Sequence, residues 1–151
     1  MRFEEVNQSN IALAGKIHSE SWQESHRSFC SPSFVAQHTP QVQEQYLLQQ
    51  ICAGKHIYML IDQYPVGIVS VDGSVIENLY VLPSEQRKGY GTQLLQYAAA
   101  HCGGAPRLWV LNTNEAAIRL YRKNGFRFTG ARIQRDLGMY ELDMICGEEE
   151  A

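Results

Sequence analysis

Residues 86–91 read Gln-Arg-Lys-Gly-Tyr-Gly. Arg87 and Lys88 bring two cations together, and Gly89 and Gly91 let the backbone approach a ligand closely. The run TQLLQYAAAHC that follows predicts a helix. The cations and glycines therefore stand at a helix start, where unpaired N–H groups and the positive end of the dipole favour an anion. A pyrophosphate suits such a site. The spacing is neither that of a Walker A loop nor GxGxxG. A polar turn with solvated cations fits the same residues, and on these residues alone the two readings stand level.

The elements around this turn set where such an anion would lie. IENLYVL precedes it as a strand, and RLWVLN (107–112) follows the helix as another. A strand–helix–strand connection of this length predicts a parallel pair with a crossover. Upstream, HIYMLID (56–62), PVGIVSV (65–71) and VIENLYVL (75–82) read as an antiparallel meander with short turns at Gln63-Tyr64 and Asp72-Gly73. Residues 2–6 read as a first strand. Ser9 or Asn10 is placed to cap a helix reaching residue 26. Residues 28–39 read as a loop with room for one helical turn. A second helix covers 40–53, with Pro40 in its first turn and Gly54 at its end. Residues 114–124 form a helix ended by Gly125. FRFTG (126–130) and MYELDMI (139–145) are the last strands, flanking a polar loop at 131–138. The reading is mixed α/β, with a change of strand direction inside an open sheet, where a crevice is expected.

Size and composition fit this. The chain has 151 residues, 44% hydrophobic and 19% charged, which matches one globular domain with a sizeable core. That domain is expected over 1–147, followed by an acidic tail at 148–151. A net charge of −3 gives no general attraction to nucleic acid or to an anionic membrane. No apolar stretch approaches the length of a membrane span, and the N-terminus lacks the apolar run of a secretory signal. Cys30, Cys52, Cys102 and Cys146 form no CxxC pair, so thiols in a reducing cytoplasm are expected and no metal site is.

Gln86-Arg87-Lys88-Gly89-Tyr90-Gly91 resembles the Q/R-x-x-G-x-G/A signature of the GNAT superfamily of acyl-CoA-dependent N-acetyltransferases. A second block agrees with it. Asn114 to Ala117, Leu120-Tyr121 and Asn124-Gly125-Phe126 resemble the family's N-x-x-A-x-x-x-Y-x-x-x-G-F segment. The resemblance covers residues 56–145 well and the N-terminal helices loosely. It implies a central mixed sheet of about seven strands, flanked by about four helices, with the parallel pair splayed to hold acetyl-CoA. It implies that Arg87, Lys88, Gly89, Tyr90, Gly91 and Thr92 receive the pyrophosphate. It places the pantetheine arm along Leu79, Tyr80 and Val81, and it brings Asn114, Ala117 and Tyr121 to the cofactor. A homodimer through the last strands follows only from family habit.

The implied chemistry is acetyl transfer to a primary amine by direct attack through a tetrahedral intermediate. The amine must lose a proton, the oxyanion must be stabilised, and the thiolate must leave with help from a proton. An amine with a pKa near ~10.4 is neutral at pH 7.4 only at a cost of roughly 4 kcal/mol. Glu77 is the candidate base: strand alternation puts it on one face with Val75, Leu79 and Val81, where apolar neighbours would raise its pKa. A solvated Glu77, or one paired with an Arg, is the competing reading. Tyr121 is the candidate acid, since a phenol can protonate a departing thiolate; a core aromatic beside Ile118 and Phe126 competes. Asn114 also suits a helix cap. A backbone N–H near Leu79 to Val81 is the expected oxyanion donor.

The acceptor pocket is expected from the first helices and the loop 131–138. His18, Trp22 and His26 recur every four residues. A helix face packed on the sheet is the bland reading of that spacing. In the other, Trp22 and His26 form a pocket wall whose aromatic faces receive a cation, joined by Tyr140 from the last strand. The acceptor is expected to be a small-molecule amine. A protein N-terminus or lysine is the second acceptor class, and a regulatory module that binds acyl-CoA without turnover is the reading from outside enzymology.

Overall fold

The computed structural model describes residues 1–147. The elements run β1 Arg2–Glu5, α1 Ile11–His26, α2 Pro32–Ala36, α3 Pro40–Cys52, β2 His56–Asp62, β3 Tyr64–Asp72, β4 Val75–Val81, α4 Tyr90–Ala100, β5 Arg107–Leu111, α5 Glu115–Lys123, β6 Phe126–Asp136 and β7 Met139–Cys146. A single 3-10 turn, Pro83–Glu85, links β4 to the α4 loop. The acidic tail falls outside the described residues.

The strands form one seven-stranded mixed sheet in the order β1-β2-β3-β4-β5-β7-β6. The meander β1 to β4 is antiparallel, β4 and β5 are the parallel pair, and β7 inserts between β5 and β6. Residues 57–61 of β2 are buried without a break, so this strand is covered on both faces. On one face α4 lays Leu94, Leu95 and Ala98 on Val69, Val71, Ile76 and Leu108. On the other, α1 and α3 set Ile17 and Leu47 against Ile57, Met59 and Ile68. Gly15 lets α1 and α3 meet closely: a Cβ there would lie 2.9 Å from the Pro40 carbonyl oxygen.

Four local expectations change. The 28–39 segment carries a full short helix, α2, capped by the Ser31 side chain, which raises the number of α-helices to five. Asn10 stands at the start of α1 but caps no helical N–H; its Oδ1 accepts from the Asn7 N–H instead. The polar stretch 131–138 is not a loop. β6 continues to Asp136 after a bulge in which it advances from Phe128 to Arg132 while β7 moves only from Met144 to Leu142. Its polarity is that of an edge strand whose side chains are exposed along most of its length.

The fourth change concerns β4. Ser70 pairs with Glu77 and Ile68 with Tyr80, so Asn78 and Leu79 both stand opposite Val69. Asn78 takes φ +51 at this bulge. The bulge breaks the alternation. Glu77 therefore does not share a face with Leu79 and Val81. Leu79 and Val81 turn to the α4 side with Ile76, whereas Tyr80 joins the α1–α3 side.

Candidate acyl-transfer site

The parallel pairing of β4 and β5 is short. It holds Val75 to Arg107 and Ile76 to Leu108 and then stops. Beyond it, β4 continues to Val81 and β5 to Leu111 with no strand between them. The result is a cleft with backbone edges on both sides, opening where β4 reaches Val81. Part of the β4 edge is already engaged: the Val81 carbonyl accepts from Ser21 Oγ at 3.2 Å and from Gln86 Nε2 at 3.3 Å.

The α4 loop lies at the mouth of this cleft. Gly89 has φ +87, a conformation that suits glycine, and starts the helix. A Cβ on Gly91 would press Leu120 of α5 at 3.3 Å, so glycine also lets α4 and α5 pack. Arg87 has φ +66, and among the described residues its guanidinium has no protein partner. Lys88 differs. Its Nζ donates to Glu85 Oε2 at 2.9 Å. Glu85 also accepts from the Tyr64 hydroxyl. That hydrogen bond, and then Lys88, hold the Glu85 carboxyl below its usual range. The Tyr90 hydroxyl turns away to donate to Asp62 Oδ2 at 2.6 Å, which pushes its phenol up to about 12. Tyr90 thus anchors α4 to the end of β2. Thr92 follows in the first turn.

α5 closes the other side. Asn114 Oδ1 accepts from the Ala117 N–H at 3.2 Å, the helix cap its type suggested. Ala117, Ile118 and Tyr121 pack against the α4-side core. Burial pushes the Tyr121 phenol up to about 12. Its ring lies 6.1 Å from Phe126, and among the described residues nothing hydrogen-bonds its hydroxyl. The Tyr80 phenol is also raised to about 12, by burial first and then by the Tyr46 and Tyr121 hydroxyls.

Glu77 accepts from Lys55 Nζ at 2.9 Å and is only half buried. The apolar setting expected for it is absent, because the bulge moves Leu79 and Val81 to the other face. A cation does face it, in the manner of the competing reading, although it is Lys55 and not an arginine. That hydrogen bond to Glu77 raises the Lys55 ammonium above its usual range.

Trp22 and His26 stand at the end of α1, next to Ser21 and its bond to β4. Both faces of the Trp22 indole are filled: His26 stacks at 3.9 Å and His38 at 3.5 Å. No open indole face remains for a cation, so the pocket-wall reading loses its physical basis at Trp22. Burial lowers the His26 pKa. Tyr140 has one ring face under the Arg132 guanidinium at 4.5 Å. The sequence reading missed Gln43, Tyr46 and Asn78. With His18 they make a polar cluster under α1 and α3. An asparagine in the middle of the strand VIENLYV was the available signal, since Asn tolerates positive φ.

Residues 51–128 match the family profile described as the acetyltransferase (GNAT) domain, and the chain belongs to that family. Streptothricin acetyltransferase of Streptomyces lavendulae is 44% identical over 77 residues, 48% of this chain and 39% of that protein. The match thus spans about two fifths of the length of that curated relative. Among solved structures, the PaiA N-acetyltransferase of Thermoplasma acidophilum in complex with coenzyme A aligns with a TM-score of 0.73 at 19% identity, covering 95% of this chain and 98% of that one. The ribosomal-protein-alanine N-acetyltransferase of Brucella melitensis aligns at 0.67 with 15% identity, covering 96% and 98%. At these identities the likeness is one of fold.

Proposed function

We propose that this protein transfers an acetyl group from acetyl-CoA to a primary amine of a small molecule. One observation carries the reading. A strand edge left unpaired among the described residues beyond Ile76 and Leu108 leads to a glycine-opened helix start beside Arg87, whose guanidinium has no partner among those residues. The residues present fit the cofactor on three counts. The cleft has backbone donors and acceptors on both walls for an extended arm, in the manner of a strand added to a sheet. The first turn of α4 presents N–H groups to a diphosphate. Among the described residues, no carboxylate pairs with Arg87.

When bound, acetyl-CoA supplies the acetyl group already activated as a thioester. Arg87 and the N–H groups of 89–92 hold the diphosphate. Lys88, shared with Glu85, contributes less. Asn114 fixes the start of α5, and α5 presents Tyr121. With its phenol at about 12, Tyr121 is protonated at neutral pH and can donate to a departing sulfur. Glu77 is the carboxylate on the acceptor-side face of β4, and it takes the amine proton through water. The backbone N–H groups at 79–81 serve the oxyanion. The curated relative named for streptothricin supports a small-molecule amine as acceptor.

Release of free CoA thiol from acetyl-CoA, measured across polyamines, amino acids, amine-bearing antibiotics and short peptides, tests this. Saturable release with a small amine is the expected result. Release with peptides alone would move the acceptor class to proteins. No release with any of them, by protein that binds acetyl-CoA, would leave a binding module.

A further inference from the structure

We propose that Glu85 is a positioning residue: pinned by Tyr64, it draws Lys88 across the turn 85–88 and so holds Arg87 in the backbone conformation from which its guanidinium meets the diphosphate. The proposal rests on the reading of the α4 loop as the cofactor's diphosphate site. By charge, Glu85 is misplaced. It stands two residues before Arg87 and is only 6% exposed. A carboxylate beside a diphosphate repels it, so by charge alone Glu85 weakens the site it belongs to.

The use of its two oxygens accounts for its place. Oε1 accepts from the hydroxyl of Tyr64, at the start of β3. Oε2 accepts from Lys88 Nζ at 2.9 Å, an ion pair between residues three apart. That pair closes a loop over Gln86 and Arg87. Gln86 is held as well, its Nε2 donating to the Val81 carbonyl at 3.3 Å. Inside the closed loop Arg87 takes φ +66. A residue with a long side chain resists this left-handed backbone, so it persists only where the surroundings enforce it. Asp62, two residues before Tyr64, accepts from the Tyr90 hydroxyl at 2.6 Å. The β2–β3 turn therefore fastens the loop on both sides of Arg87, at Glu85 and at Tyr90. Among the described residues the Arg87 guanidinium itself has no partner. Lys88 is thus occupied in shaping the turn, and Arg87 is left to meet the ligand.

The test uses Glu85→Met, which keeps the length of the side chain and removes both oxygens, and Glu85→Gln, which removes the charge and keeps one acceptor. Both lose the same negative charge, so a role of charge alone would tighten acetyl-CoA binding equally in both. The result expected from calorimetric titration has the opposite sign. Binding should be about threefold weaker in Glu85→Met, with Glu85→Gln between it and the wild type. In an Arg87→Ala background Glu85→Met should cause no further weakening, because Glu85 acts through Arg87. Hydrogen exchange in the ligand-free protein should be about tenfold faster at amides 87–89 of Glu85→Met, with amides 94–98 of α4 unchanged. Equal or tighter binding by a folded Glu85→Met protein, or a loss that persists in the Arg87→Ala background, would overturn the proposal. Should Glu85→Met not fold, Tyr64→Phe removes only the hydroxyl of a half-exposed ring. Weaker binding that vanishes in the Arg87→Ala background then supports the role, and unchanged binding overturns it. No binding of acetyl-CoA by the wild type overturns the diphosphate-site reading and this role with it, whereas wild-type binding without loss in the variants overturns this role alone.

Discussion

The two faces of β4 differ in chemistry although they share seven residues. Towards α4, Ile76, Leu79 and Val81 join an apolar core whose centre, Leu94, is fully buried. Towards α1 and α3, the same strand shows Glu77, Asn78 and Tyr80 to a lysine, a histidine and a tyrosine. The apolar face holds the strand in place. The polar face gives it an irregular shape and leaves groups that can act. One bulge separates the two roles, and it does so by moving residues across the sheet without changing the sequence's composition.

The largest expected effect is on the apolar face. Leu94→Ala should cost about 3 to 4 kcal/mol, lowering Tm by about 10 °C in a thermal melt. A loss below about 1 kcal/mol would mean that this face is not the stabilising one.

The polar face should show itself through pH. His18 has its folded pKa depressed from 6.5 to about 4. Between those values the unfolded chain binds the extra proton. Stability is therefore whole above about pH 6.5 and declines as pH falls towards 4, by about 3 kcal/mol from this group. His26, lowered in the same direction, adds to the decline. Denaturant unfolding from pH 7 to pH 4.5 should show the slope in the wild type and lose most of it in His18→Phe. An equal slope in both would place the acid sensitivity elsewhere.

At the mouth of the cleft, Tyr121→Phe should lower kcat about a hundredfold with the KM for acetyl-CoA nearly unchanged. Unchanged kcat would leave Tyr121 as the core aromatic it resembles by its neighbours. The smallest effect is expected at Glu77. With the base role proposed as water-relayed and the carboxylate tied to Lys55, Glu77→Gln is expected to reduce kcat only about threefold. A hundredfold loss would make it a direct base.

These contrasts show what could be read from the chain before its structure. The strand–helix–strand unit, the glycine-opened start of α4 and the cap at Asn114 follow from local patterning, and local patterning is what a sequence displays. Glu77 was placed among Leu79 and Val81 because alternation is a local rule. A single bulge residue breaks that rule, and only the register against β3 reveals it. Lys88 looked as free as Arg87, but Glu85 stands three residues earlier and captures it. The reading of Trp22 as a cation-receiving wall, the weaker of the two open to it, fails because His38, two residues past the end of α2, fills its second face. The 131–138 stretch looked like a loop because edge strands and loops are polar for related reasons, both meeting water. The Asn78–Tyr46 bond and the Gln43–His18 bond join residues far apart in the chain, and only the asparagine within β4 hinted at them.

The measurement that tests the central claim most directly is a calorimetric titration of the protein with acetyl-CoA, repeated on Arg87→Ala and Lys88→Ala. A one-site isotherm is predicted that weakens about tenfold in Arg87→Ala and about threefold or less in Lys88→Ala. No binding by the wild type, or binding that ignores Arg87, would contradict the assignment of the α4 loop as the cofactor's diphosphate site.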